Sequence, residues 1–242
     1  MYQKEVFQFK QTIVTILADN ADLIEIAKAE ILKSRSIIEN YIFQNPFFEI
    51  TLEAYEIDEN APPLIQRMIE AGNAFGIGPM SAVAGTIAEA AVLKMKESGA
   101  SFALVDNGGD IAIYNTENKP TVVGVYAGNS TVQNLGFSIE PSDEIIGICT
   151  SSGTVGPSIS FGKADAAIVF SKNVSLSDSA ATALGNALKE GGAENIEKAL
   201  PAVSNVEGIE GAVLIQGENI GMAGKIPKIV KANVDYDIIT KG

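Results

Sequence analysis

Residues 6–18, rich in Phe, Ile, Val and Thr, read as one or two strands. The rhythm then changes. Across residues 22–41, Ile24, Ala27, Ile31 and Ile38 recur at helical spacing, with Asn20 or Asp22 to cap the helix and Pro46 to stop it. In residues 48–54, Phe48, Ile50, Leu52 and Ala54 alternate with Glu49, Thr51 and Glu53, which predicts a half-buried strand. Pro62 and Pro63 open a second helix that runs to about Gly72, and an Ala-rich helix over residues 80–97 ends at Gly99. Short runs of Val, Ile and Phe follow at 102–105, 111–114, 122–126, 136–139, 145–149 and 166–170, separated by turn residues. Spacing this short suits antiparallel strands better than parallel crossovers. Helices are predicted at 177–189, starting at Ser177 or Asp178, and at 193–200, with closing strands at 212–215 and 229–234. This order predicts an α+β fold with helices packed on antiparallel sheet.

Composition narrows the chemistry. The chain has 242 residues, 46% of them apolar, enough for one large domain or two interlocked halves with a substantial core. It contains no histidine, which excludes Ser-His-Asp and Cys-His machinery, histidine-ligated zinc or haem, and an imidazole base. The chemistry left to it uses carboxylates, hydroxyls, lysines, backbone amides or a hard metal ion. The single cysteine, Cys149, lies in an apolar run and reads as a buried small hydrophobe rather than a nucleophile. Residues 1–10 include Glu5 and Lys10 and no apolar stretch, so no signal peptide is expected, and no run is long enough to span a membrane. The expected location is cytoplasmic. A net charge of −13 without a Lys/Arg cluster argues against nucleic acid as a partner. Self-association is left open.

Four segments carry candidate chemistry. Gly76-Ile77-Gly78-Pro79-Met80-Ser81 delivers a turn to a helix start, where free amides favour an anion; the same residues also make a plain Gly-Pro turn capped by Ser81. Asp106-Asn107-Gly108-Gly109-Asp110 has the glycines of a tight hairpin, but its two flanking aspartates sit better in solvent or on a cation. Asp178 and Thr182, four apart on a predicted helix, offer oxygen donors suited to Mg²⁺ or Ca²⁺, unless Asp178 is only an N-cap. Thr150, Ser151, Ser152, Gly153 and Thr154 form a hydroxyl- and glycine-rich run able to wrap a phosphate or sugar, a composition shared with ordinary loops.

Together, Gly78-Pro79 before the Ala-rich helix, the N-x-GGD-like segment around Asn107, and the D-x-x-x-T element at Asp178 and Thr182 resemble the ApbE-like superfamily of FAD:protein FMN transferases. The resemblance is greatest to its short, UPF0280-like branch. It implies two interleaved T-fold-like halves with the ligand between them, and Mg²⁺ on Asp178 and Thr182. It implies a flavin nucleotide, FAD, lined by Gly78, Pro79, Asn107, Gly108 and Gly109. Asp106 or Asp110 would complete the metal shell or orient an attacking hydroxyl, with a protein as acceptor of the flavin. Three features depart from the transferases. Glu89 stands where a basic residue is expected, no histidine follows the GGD-like element, where Pro157 lies instead, and no export signal is evident. The expectations are therefore FMN transfer or FAD pyrophosphate cleavage, or else binding of a flavin, nucleotide or other small anion without reaction.

Overall fold

The computed structural model describes residues 2–10, 12–127, 130–132, 134–151 and 162–232. Its first two strands, β1 (Gln3–Phe9) and β2 (Thr12–Ala18), form a hairpin, and four helices follow. Asn20 caps α1 (Ala21–Gln44) by accepting the Leu23 N–H at 3.1 Å. After α2 (Phe47–Ile50) comes α3 (Pro63–Asn73), with proline in its first turn, where no N–H is missed. A 3₁₀ turn (Pro79–Ala82) then leads into α4 (Val83–Glu97). The chain returns as β3 (Phe102–Asn107) and β4 (Asp110–Asn115).

The second half repeats this plan. Following β5 (Thr121–Gly124) and β6 (Leu135–Ile139), it runs through β7 (Ser142–Ser151) and β8 (Ala166–Ser171) into three helices, α5 (Val174–Ala187), α6 (Ala193–Ala199) and α7 (Pro201–Ser204). It closes with β9 (Ile209–Gln216), β10 (Asn219–Gly224) and β11 (Lys228–Lys231). Two strand-pair–helices–strand-pair units thus join edge to edge through β4 and β7, giving one antiparallel eight-stranded sheet in the order β1-β2-β3-β4-β7-β8-β9-β10. A second antiparallel sheet, β11-β6-β5, lies apart from it.

Period-two alternation explains the layering. Ala103, Val105, Ala167, Val169, Ala212 and Leu214 face the helices, while Phe102, Leu104, Ile168, Phe170, Val213 and Ile215 face the small sheet. Both faces of the large sheet are therefore covered, which is why its central strands read as near-continuous apolar runs. Phe137 of the small sheet packs edge-on against Phe170, with ring centroids 4.9 Å apart. Each such fully buried side chain contributes about 1.5–3 kcal/mol. The α+β architecture with helices on antiparallel sheet is as the sequence predicts. Among the described residues no helix is long and apolar enough to cross a membrane.

Four elements differ from expectation. The predicted strand at 48–54 is instead helix α2 followed by extended chain, with a single bridge between Glu53 and Ile77. Pro46 takes a helical conformation there (φ −59°), and of the alternating apolar residues only Phe48 is buried; Ile50 and Leu52 are 70% and 60% exposed. Their alternation was not a buried face. Helix α5 starts at Val174, not Ser177, because Asn173 caps it through the Leu176 N–H. Strand β10 carries Gly221 and Gly224, which weaken any strand signal. The predicted strand at 229–234 ends with β11 at Lys231, and its last two residues lie outside the described residues.

Candidate functional site

The seam between the two halves gathers most of the sequence-predicted residues. At the β3–β4 turn, Gly108 and Gly109 have φ of 71° and 103°, as a two-residue hairpin joining Asn107 to Asp110 requires. Asp106 Oδ1 accepts the Gly109 N–H at 2.8 Å, so this carboxylate braces the turn. Asn107 Nδ2 donates to the Ala84 carbonyl at 3.1 Å, tying the turn to the first turn of α4. Asp110 begins β4 directly opposite Cys149 of β7, and the next residue, Thr150, donates its N–H to the Gly109 carbonyl at 3.1 Å.

Helix α5 supplies the other wall. Asp178 is not the cap of its own helix but lies inside it, and its Oδ2 accepts the Gly85 N–H at 2.7 Å, with the Ala84 N–H as a second donor. Helix α4 has no capping side chain at Ala82 and no acid in its first turn, so Asp178 supplies both from a distance. The close approach explains Gly85: a Cβ there would sit 2.8 Å from both the Asp178 Cβ and the Val174 carbonyl oxygen. Around this contact Ser81 Oγ meets Ser179 Oγ at 2.8 Å, and Thr86 donates to Ser175 Oγ at 2.8 Å. Glu89 pairs with Arg67 at 3.2 Å and accepts from Ser175, so its charge is engaged between α3, α4 and α5.

Electrostatics mark the seam as short of positive charge. Burial pushes the Asp110 carboxyl well above the usual carboxylate range, and the charges of Asp178 and then Asp106 push it further; the Cys149 thiol and Thr150 N–H work against this. Burial raises Asp178 to about 7 despite the Gly85 and Ala84 amides. Asp106 is raised by burial, opposed by the Gly109 amide and by Lys4. Cys149 is fully buried, its thiol pushed up by burial and by both neighbouring aspartates, with Ser177 Oγ 3.1 Å from its sulfur. It is an inert thiol, as expected for a buried small hydrophobe.

Buried carboxyls raised in this way take up a proton or a cation. The donors are all oxygens, a set suited to a hard cation; Thr182, half-buried, stands one turn after Asp178 on the same side of α5. Among the described residues no group of three His, Cys, Asp or Glu side chains comes close enough to hold a metal. An ion held here would have few ligands from these side chains and would take the rest of its shell from water or from a bound ligand.

The remaining predicted residues are more varied. Gly78 and Pro79 are buried, and a Cβ on Gly78 would overlap the Thr51 carbonyl oxygen, so packing alone explains that glycine. Ser81 Oγ donates to the Gly78 carbonyl at 2.7 Å. Thr150 and Ser151 end β7, and Ser151 Oγ is buried with no hydrogen-bond partner among the described residues. Ser152, Gly153 and Thr154 lie outside the described residues. Sequence reasoning missed the bond from Gly85 to Asp178 and the one from Asn107 to Ala84. The glycine inside an Ala-rich helix was the available signal for the first, since only a close approach justifies it.

Comparisons with known proteins agree with this architecture. The chain is 57% identical over 238 residues to a UPF0280 protein of Methanosarcina barkeri, covering 98% of this chain and 93% of the relative. It is 56% identical to one of Methanococcoides burtonii, over 99% and 100%, and 43% identical to one of Archaeoglobus fulgidus, over 98% of each. Its fold is similar to that of the apo flavinyl transferase ApbE of Pseudomonas stutzeri, with a TM-score of 0.58 at 15% identity over 92% and 94% of the two chains. It is also similar to that of an ApbE protein of Thermotoga maritima, with a TM-score of 0.59 at 13% identity over the whole of both chains. A family model described as "AbpE bacteria" matches residues 3–216, and with relatives this similar over their full length the chain belongs to that ApbE-like family, alongside the archaeal UPF0280 proteins.

Proposed function

We propose that this protein binds a flavin nucleotide at the seam between its two halves, with a divalent cation held by Asp178 and Thr182, and acts on the nucleotide's pyrophosphate. The observation that carries the reading is the pair of carboxyls that the two halves contribute to the seam, half-buried Asp110 opposite Cys149 and buried Asp178, whose charge helps to raise Asp110. The fold likeness to a flavinyl transferase supplies the ligand class. A magnesium ion there would neutralise charge on a pyrophosphate as it is cleaved. The chain's own residues do the rest. Asp178 keeps α4 in place through the Gly85 amide. Asp110, raised by burial and negative neighbours, has the basicity to accept a proton from an attacking hydroxyl. Asp106 and Asn107 fix the Gly108–Gly109 turn, which would line the nucleotide. The acceptor is water, giving FAD cleavage, or a protein hydroxyl, giving FMN transfer.

One observation favours a binding protein without turnover: the Asp178 carboxylate already serves as the cap of α4. Incubating the protein with FAD and Mg²⁺ and measuring AMP by chromatography decides between the two. AMP that accumulates with Mg²⁺ and disappears in Asp110→Asn supports the reaction. Retained, intact FAD supports binding alone.

A further inference from the structure

Two exposed surfaces of opposite charge have no function in the site just described. The first lies between residues 43 and 59. Phe43, Phe47, Ile50, Leu52 and Ile57 are 87%, 62%, 70%, 60% and 65% exposed. Glu49, Glu53, Glu56 and Glu59 stand among them, exposed and without an ion pair among the described residues. No lysine or arginine occurs between Arg35 and Arg67. The second surface is the chain's last hairpin and edge strand. Ile220 and Met222 of β10 and Ile229 of β11 are 40%, 42% and 44% exposed. Lys225, Lys228 and Lys231 are exposed there, also without ion pairs among the described residues, and no acidic residue occurs from 219 to 231.

These surfaces belong to different neighbourhoods of one chain. Helix α2 packs on α1 and the Pro79–Ala82 turn in the first half, while β10 packs on β9 and α6, and β11 on β6, in the second. The five apolar side chains of the acidic surface expose on the order of 600 Å². That is most of the roughly 800 Å² per partner that a stable interface buries. A symmetric pairing of the acidic surface with itself would bring unpaired carboxylates together. The basic surface supplies both the apolar contacts and the missing cations.

We propose that the protein self-associates head to tail, the acidic apolar surface of one copy (residues 43–59) seated on the lysine-bearing β10–β11 surface (residues 219–231) of the next. Such an interface is heterologous, so it gives a ring where the rotation between copies closes and an open filament where it does not. It does not depend on the proposed flavin chemistry.

The test is sedimentation velocity on the full chain at about 50 mM and about 500 mM salt. The wild-type protein should associate at low salt and dissociate at high salt. Glu53→Lys with Glu56→Lys should weaken association at least about tenfold, and so should Lys228→Glu with Lys231→Glu. Mixed one to one, these two variants should associate with each other although neither does alone, because each now presents two like surfaces complementary to the other's. Circular dichroism checks their folding; if either is unfolded, Phe43→Ser with Ile50→Ser tests the acidic surface by area alone, and should also weaken association. A monomer under every condition would overturn the proposal and leave the acidic surface to a different protein. So would association that survives both charge reversals, or that only the acidic-surface variants disrupt.

Discussion

Replacing Asp178 with Asn separates its charge from its capping oxygen. The folded carboxyl titrates at about 7, against 3.8 for the free side chain, so between these values the folded protein keeps a proton that the unfolded chain has shed. Stability must then fall as pH rises from about 4 to about 7 and level off above. The difference corresponds to up to about 4 kcal/mol at 1.36 kcal/mol per pH unit. Asn keeps an oxygen that can accept the Gly85 N–H at 2.7 Å but cannot ionise. Asp178→Asn should therefore leave stability little changed near pH 4 and raise it by up to about 4 kcal/mol at pH 8 without divalent cations. Asp178→Ala, which also removes the cap, should fall about 1 kcal/mol below Asp178→Asn at every pH. Urea unfolding at pH 4, 6 and 8 measures all three proteins. An Asp178→Asn variant less stable than wild type by the same amount at every pH would refute the reasoning, because Asp178 would then ionise in the fold as readily as in water.

Other consequences are simpler. Gly85→Ala should cost about 1–3 kcal/mol by driving a Cβ into Asp178 and the Val174 carbonyl, seen as a lower unfolding midpoint. Gly109→Ala, at φ 103°, should destabilise the β3–β4 turn by about 1 kcal/mol or more, whereas an exposed substitution such as Lys163→Ala should leave stability within about 0.5 kcal/mol. Cys149 should resist a thiol reagent in the native protein and react fully once denatured; fast native labelling would contradict its burial and raised thiol.

Much of the fold was legible because it is written in local rules. Asn20 marks the start of α1, Pro63 that of α3, and Gly99 follows the end of α4. The apolar runs at 102–105 and 166–170 match strands buried on both faces. What failed depended on distant partners. The alternation at 48–54 imitates a half-buried strand, but its apolar residues are mostly exposed, so the pattern marks no buried face. The Asp106–Asp110 hairpin was legible from Asn-Gly-Gly alone. That Asp178 caps α4 rather than α5 was not, because the two helices meet 93 positions apart in sequence and nothing local records it. Likewise the spacing of Asp110 and Asp178 says nothing of their convergence; that follows from β4 and β7 joining the halves.

On the proposed function, the seam takes a flavin nucleotide together with a divalent cation. Calorimetric titration of FAD into the protein, with Mg²⁺ and with chelator, tests it most directly. Binding should be saturable, require Mg²⁺, and weaken at least about tenfold in Asp110→Asn and in Asp178→Asn, with circular dichroism checking that both variants fold. No binding of FAD in either condition, or equal binding with chelator and in both variants, would contradict it.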